Sequence, residues 1–277
     1  MATKNALPKF DSPPVIETVF SAQFSPLPGY KNAHSGWFWK NYLPNEWAEI
    51  NHAPPITDVL ERFGDERRWA AAPGIAFAIG DTPDRLQIMC SDRERMIQIQ
   101  NSRFAYNWKH HPGSEKAYPG YEVLLPEFED GLNNFKAFVA DAHLGDLNFN
   151  QWEVIYVNHI PKGDLWNTTN DWSSIIPSLV PPPATDVEGQ KFDTMRCEWQ
   201  YVINEDVGRL YLSIAQARIA TEKSQEVMEI RLTARGPIQA DKGIDLLKGL
   251  EIGHASIVNT FAAITSVEAH QHWKRRV

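Results

Sequence analysis

Two long amphipathic segments, each preceded by a series of strand-like runs, constrain the fold of this 277-residue chain more than any other feature. Residues 121–142 carry apolar side chains at spacings of three and four, which indicates a helix with one apolar stripe. Residues 244–264 repeat the pattern with Leu247, Leu250, His254, Ile257, Phe261 and Ile264. A sheet with one apolar face must be covered, and each long helix can cover one.

The segments before these helices are typical of short strands with turn-like connections, which favour antiparallel neighbours. A Trp-rich stretch, residues 36–50, is expected to be helical in part and broken at Pro44, and residues 56–64 to form a short helix ending at Gly64. A second Trp-bearing stretch, residues 164–179, is expected to be helical or irregular. The predicted strands are 15–24, 74–80, 85–91 and 95–108, followed by 152–160, 194–203, 209–219 and 227–236.

The order of these elements predicts an α+β protein with two similar halves, each containing a strand, a helical piece, three antiparallel strands and a long helix. We expect a flexible N-terminal arm at residues 1–12, a first half at 13–145 and a second half at 146–277. The strands of the halves could also merge into one curved sheet backed by two long helices, as in the TATA-binding-protein-like architecture. That analogy concerns element order and implies no function.

Composition narrows the class of protein. The formal net charge of -8 argues against a protein that mainly coats nucleic acid or an anionic membrane. Cys90 and Cys197 form no CxxC pair, so buried thiols in a reducing compartment are expected rather than disulfides or a zinc ribbon. The sequence shows neither a secretory signal nor an apolar run long enough for a membrane span, and we therefore expect a soluble, cytoplasmic protein.

The sequence contains none of the strong catalytic motifs. It has no phosphate-binding loop, no GxGxxG between a strand and a helix, and no GxSxG nucleophile elbow. His270 and His272 form an HxH without a third ligand, and a solvated tail is expected there. We predict no catalytic residue, no metal and no cofactor. His254 lies on the apolar stripe of the last helix, either as a core histidine bonded to its neighbours or as a base or ligand facing a cleft.

Residues 95–108 combine amides and an arginine with aromatic side chains. On a single strand, Gln98, Gln100, Ser102 and Phe104 would share one face, and the other face would carry Asn101, Arg103 and Asn107, unless a bulge near Asn101 changes the register. Arginine and amide groups offer directional donors, so this surface could clamp a polar ligand. The alternative is a half-solvated sheet face with amide ladders.

Four stretches form a recognisable set: PPVIET, QNSRFAYNW, YPGYE, and a closing His-containing helix ending AITS…HQHW. In these, essentially the whole chain resembles a sporadically distributed family of uncharacterised bacterial and archaeal proteins. The resemblance implies no activity; patchy distribution is typical of genes in mobile elements and in defence or toxin–antitoxin loci. The matching residues are Pro14, Glu17, Gln100, Asn101, Arg103, Phe104, Asn107, Trp108, Tyr118, Pro119, Tyr121, His254 and Phe261.

The leading functional hypothesis is a non-catalytic binding or interaction protein, an accessory component of a defence or toxin–antitoxin locus. A cleft between the halves or an aromatic sheet face would bind a protein partner or a small polar ligand. One alternative is an enzyme of unrecognised type with a pocket around Arg103, Asn107 and His254; another is a nucleic-acid-binding accessory protein, which the net charge disfavours. The predicted ligand-binding residues are Gln100, Asn101, Arg103, Asn107, Trp108, Tyr118, Tyr121 and His254.

Overall fold

A computed structural model describes residues 6–64, 84–114, 116–180, 189, 192–219 and 224–276. In these residues, one nine-stranded antiparallel sheet is accompanied by helices and by a separate two-stranded sheet. The α+β prediction is therefore confirmed. The predicted strand at residues 74–80 lies outside the described residues. No helix in the described part of the chain has the length and apolar character needed to cross a membrane.

The elements follow the predicted order closely. The helices are α1 Asn32–Tyr42, α2 Tyr121–Asp141, α3 Trp172–Ile175, α4 Leu246–Ile264 and α5 Val267–His272, with short 3-10 turns at Thr169–Asp171 and Ala240–Lys242. The strands are β1 Lys9–Phe10, β2 Val15–Phe24, β3 Trp47–Ala53, β4 Arg85–Cys90, β5 Arg95–Gln100, β6 Arg103–Lys109, β7 Phe149–Pro161, β8 Arg196–Ile203, β9 Gly208–Ile219, β10 Gln225–Pro237 and β11 Arg275–Arg276.

The two halves of the chain meet inside a single sheet with the order β3-β4-β5-β6-β2-β7-β10-β9-β8. Its central pair, β2 and β7, is antiparallel and joins residues 13–145 to residues 146–277. Outward from that pair, β2 is followed by β6, β5 and β4, and β7 by β10, β9 and β8. Each half thus places its first strand at the centre and its last strand next to it. An origin of this arrangement by duplication stays a prediction.

The long helices cover one face of the sheet. Helix α2 packs on β6, and α4 packs on β7 and β10. The covered face carries large apolar side chains such as Phe20, Phe104 and Trp152, all fully buried. Side chains alternate along a strand, so the neighbours of these apolar residues point to the opposite face, and many of these neighbours are polar. We call this opposite face the polar face; it includes Ser21, Gln23, Gln98, Gln100, Arg103, Asn107, Gln151, Glu153, Arg209, Tyr211 and Arg235.

The prediction of one strand over residues 95–108 is wrong. The chain reverses at Asn101 and Ser102, and β5 and β6 form a hairpin in which Gln100 pairs with Arg103. Gln100 and Arg103 therefore share the polar face instead of lying on opposite faces. Asn and Ser both favour turns, but the apolar alternation on either side continues with little interruption, which concealed the reversal.

The predicted helix over residues 56–64 is also wrong. Helix α1 ends before Pro44, as expected, but the chain then forms edge strand β3 and continues without helix through residue 63. The spacing of Ile56, Val59 and Leu60 is helical, yet these side chains are exposed. Their backbone is instead bonded by side chains of the sheet, so tertiary contacts override the local pattern.

The chain termini pair with each other. Lys9–Phe10 and Arg275–Arg276 form the two-stranded sheet, so the predicted N-terminal arm is paired over these residues. The prediction of a solvated HxH tail is wrong for His270, which is buried. Its Nε2 lies 2.8 Å from Thr265 Oγ1 and its Nδ1 lies 3.0 Å from a nitrogen of Arg275.

Candidate functional site

The eight predicted ligand-binding residues lie in two separate places. Trp108, Tyr118, Tyr121 and His254 lie on the helix-covered side of the sheet. Gln100, Arg103 and Asn107 belong to the polar face, with Asn101 in the turn beside it. Arg103 and Asn107 therefore lie on the other face of the sheet from His254, and the enzyme alternative stays a prediction.

A cavity of about 310 Å³ lies at the seam between the two halves, and we call it the seam cavity. Its walls come from the start of α2, from α4, from the central strands and from residues 7–13. Residues 9–12 are held in this position by the pairing of the two chain termini. The polar and aromatic lining includes Phe10, Tyr118, Tyr121, Tyr156, Asn158, His254 and Phe261.

A chain of hydroxyl groups ends at His254. Thr18 Oγ1 donates to the hydroxyl of Tyr118 at 3.3 Å, and Tyr118 donates to the hydroxyl of Tyr156 at 3.3 Å. The hydroxyl of Tyr156 lies 2.8 Å from Nδ1 of His254. If each hydroxyl donates onward, Nδ1 accepts, and the neutral imidazole carries its proton on Nε2. Strands β2 and β7 and the loop before α2 thus orient one histidine.

His254 is held in its neutral form. Burial is the main cause that lowers its pKa to about 4, and the charge of Lys9 acts in the same direction while that of Glu122 opposes it. Its ring stacks on Tyr121 with centroids 3.8 Å apart and planes 8° from parallel. Burial also raises the pKa of Tyr121 and of Tyr156. At neutral pH these three rings are uncharged.

The hydroxyl of Tyr121 is buried and has no hydrogen-bond partner among the residues that the structure describes. Buried hydroxyls are nearly always bonded, so a group that reaches this oxygen would supply a missing interaction. Tyr121 begins α2 and follows Gly120, whose φ of 91° lies in the left-handed region that favours glycine. The turn at Gly120 therefore places Tyr121 against His254.

Among the described residues, the charged groups that line the cavity form two ion pairs. Lys9 Nζ lies 2.9 Å from Glu122, and Arg276 Nε lies 2.5 Å from Asp11. Both pairs are largely exposed. The lining thus offers a ligand hydrogen bonds and apolar contact, with its formal charges already compensated.

The polar face has its own buried network. The Arg103 guanidinium donates to Ser21 at 3.2 Å, to Gln23 at 2.6 Å and to Glu153 at 3.2 Å. On the same face, Asn107 accepts from Gln98 at 2.7 Å and donates to Glu17 at 2.9 Å. These side chains bond one another across four strands, β5, β6, β2 and β7, while Arg103 Nε is buried with no partner among the described residues. Their predicted role as ligand-binding residues stays a prediction.

Sequence reasoning missed Tyr156, which links Tyr118 to His254. Tyr156 lies on the same side of β7 as Trp152 and Val154, so the alternation indicates the covered face, but no local signal indicates that it meets α4 at His254. The sequence also does not predict that residues 9–12 form part of the cavity wall, because the pairing of the two chain termini is a long-range contact.

Comparison of the chain with protein-family models, with curated proteins and with solved structures finds no match. The resemblance to a sporadically distributed prokaryotic family therefore stays a prediction. Within the described residues, no group of three or more His, Cys, Asp or Glu side chains is arranged to hold a metal ion.

Proposed function

We propose that this is a non-catalytic binding protein whose seam cavity takes a small, uncharged molecule with an apolar body and hydrogen-bonding groups. The observation that carries the proposal is the convergence of Tyr118, Tyr121, Tyr156 and His254 on one cavity where the two halves meet. Its volume of about 310 Å³ is at the lower end of the roughly 300–1,000 Å³ typical of small-molecule sites.

The electrostatics favour a neutral ligand. The imidazole and the tyrosines are uncharged, and the lining ions are paired with each other. An ion that entered the cavity would lose hydration without gaining an unpaired opposite charge. Tyrosine hydroxyls and the histidine can instead exchange hydrogen bonds with carbonyl or hydroxyl groups of a neutral molecule.

Binding is favoured over catalysis by the state of His254. A general base works best when its pKa lies near the working pH. The pKa of about 4 makes His254 a weak base at neutral pH. Its hydrogen bond to Tyr156 also occupies Nδ1. These features suit an imidazole that accepts from Tyr156 at Nδ1 and donates from Nε2 to a ligand.

The cysteines and the family resemblance bear on the cellular setting. Cys90 and Cys197 are both free thiols, which suits the reducing cytoplasm. A place in a defence or toxin–antitoxin locus rests on the family resemblance alone. A protein that binds a small molecule in such a locus would serve as a sensor or regulator.

The uncharged, environment-sensitive fluorophore prodan tests the seam cavity. We expect Val258→Trp, which fills the cavity wall, to weaken prodan binding by at least roughly tenfold. Ile252→Trp is the matched control, because Ile252 lies on the same helix, is also half-buried and lies outside this cavity. Fluorescence titration of wild type and both variants measures the effect.

Two outcomes would contradict the proposal. One is equal prodan binding by wild type and Val258→Trp while circular dichroism shows both folded. The other is stronger binding of an anionic naphthalene sulfonate dye than of prodan at the same cavity, since that would indicate an uncompensated positive charge.

A further inference from the structure

Residues 54–63 cross one end of the polar face, and we call this segment the strap. It has no regular secondary structure and meets side chains of β5, β2, β7, β10 and β9 in turn. Within the described part of the chain, no backbone–backbone hydrogen bond joins the strap to a strand. The strap is therefore attached by side chains of the sheet.

Glutamine side chains of the sheet bind the strap backbone. Gln100 accepts from the Ile56 N–H and donates to the Ile56 carbonyl, both at 2.9 Å. Gln151 donates to the Val59 carbonyl and accepts from the Glu61 N–H at 2.8 Å. An amide that serves an N–H and a C=O of an extended segment takes the place of a neighbouring strand. These contacts do not depend on the side chains of the strap.

One strap side chain is inserted into the sheet surface. The Glu61 carboxylate accepts from Arg209 Nε at 3.0 Å, from Arg235 Nε at 2.6 Å and from the Tyr211 hydroxyl at 2.5 Å. Glu61 is only 9% exposed, whereas the other residues of 54–62 are exposed. The polar face thus binds an extended backbone and one buried carboxylate, and Ser102 in the turn between β5 and β6 also donates to the exposed Asp58 at 2.9 Å.

The strap contributes little apolar burial. Ile56, Val59 and Leu60 are 37%, 38% and 49% exposed. Segments with few buried apolar contacts open at low free energy, well below that of global unfolding. The glutamines beneath, Gln23, Gln100 and Gln151, are at most 2% exposed and stand on paired strands, so their positions do not depend on the strap alone.

We propose that the polar face is a binding groove for an extended peptide that carries a glutamate, and that the strap is its resident occupant. A segment of a partner protein would bind through its backbone to the glutamines and through its carboxylate to Arg209 and Arg235. The tethered strap competes at an effective concentration on the order of millimolar. Partner binding therefore requires release of the strap, which makes the strap an autoinhibitory element.

A labelled peptide, PPITDVLERFG, which is the strap sequence followed by Gly64, tests the groove. In the full-length Glu61→Gln variant the resident strap loses its carboxylate, so the peptide should bind at least about tenfold tighter than to wild type. A peptide with glutamine in place of the glutamate should bind this variant at least about tenfold more weakly than the original peptide. Fluorescence anisotropy measures both differences.

Matched glutamines provide the control. In the Glu61→Gln background, Gln151→Ala should abolish peptide binding, whereas Gln98→Ala should leave it unchanged. Gln98 is also buried on the polar face, but it bonds Arg85, Gln87 and Asn107 and makes no direct hydrogen bond to the strap. Equal affinity for the two peptides, or equal losses in the two alanine variants, would overturn the proposal. So would displacement of the peptide by a single-stranded oligonucleotide at least as effectively as by unlabelled peptide.

Hydrogen exchange keeps the proposal testable if Glu61→Gln does not fold. In the wild-type chain, the amides of Ile56, Val59 and Glu61 should exchange at least about tenfold faster than the central amides of β2 and β7. Exchange of the strap amides only together with those strands would show that the strap opens solely by global unfolding, and the groove would then be closed to any partner.

Discussion

Gly249→Ala is expected to lower the free energy of unfolding by about 3 kcal/mol. A Cβ at Gly249 would overlap Cγ and Cδ1 of Trp152 and lie 2.5 Å from its Nε1. The Trp152 ring cannot move away, because the backbone at Gly208 and at Gly253 already lies close to it. A Cβ at either glycine would lie 2.8 Å from other atoms of the same fully buried ring. Helix α4 would have to move away from the sheet. The cost of overpacking then exceeds the gain of roughly 1 kcal/mol that alanine brings to a helix.

Gly36→Ala is the matched control for this substitution. Gly36 also lies inside a helix, α1, but a Cβ there meets nothing within 4 Å. This variant should be more stable than wild type by roughly 0.5–1 kcal/mol. Urea denaturation of the three proteins measures the differences. If Gly249→Ala were as stable as wild type, α4 would not pack on Trp152 as described, and the wall of the seam cavity would be misplaced.

The free energy of unfolding is expected to fall on acidification because of His254. His254 has a pKa of about 4 in the folded protein and an ordinary value of 6.5 when unfolded. Between these values the unfolded chain binds the proton and the folded chain does not, so stability rises with pH in this window. Acidification from pH 7 to pH 4 should therefore remove about 3 kcal/mol of stability through this one residue.

His254→Asn isolates that contribution. The variant should lose about 3 kcal/mol less than wild type over the same pH range. His143→Asn provides the control, since His143 is exposed, lies outside the seam cavity and has a positive φ that asparagine tolerates. Urea denaturation at pH 7 and pH 4 gives the comparison. Identical pH dependence in wild type and His254→Asn would show that His254 is not buried between the halves.

Much of the fold can be predicted from local patterns. Strand β2 has the predicted bounds, Val15–Phe24, because its alternation is enclosed by prolines on both sides. Helix α2, Tyr121–Asp141, differs by one residue from its prediction, since its apolar stripe runs without interruption. The order of elements in each half was also sufficient to predict the α+β class.

The errors arise where long-range contacts decide the structure. The strap has helical spacing at Ile56, Val59 and Leu60, but glutamines far away in sequence bind its backbone. The reversal at Asn101 lacks the Asn-Gly signal of a two-residue hairpin. Because residues 95–108 were predicted as one continuous strand, Gln100 and Arg103 were placed on different faces of the sheet.

The candidate site was predicted in part. His254 was correctly placed on the apolar stripe of α4, and Tyr118 and Tyr121 line the same cavity. Their convergence follows from the pairing of β2 with β7, which no local pattern encodes. Arg103 was assigned to the same cleft because a sheet has two faces and the sequence does not state which of them meets the helix.

A neutral His254 at the seam is the central feature of the proposed binding site, and the side-chain nitrogen spectrum of histidine-labelled protein tests it most directly. The His254 signals, assigned by their loss in His254→Asn, should show a proton on Nε2 and none on Nδ1 at neutral pH and should titrate near pH 4. Titration near the ordinary value of 6.5, or a proton on Nδ1 at neutral pH, would contradict the seam cavity described above.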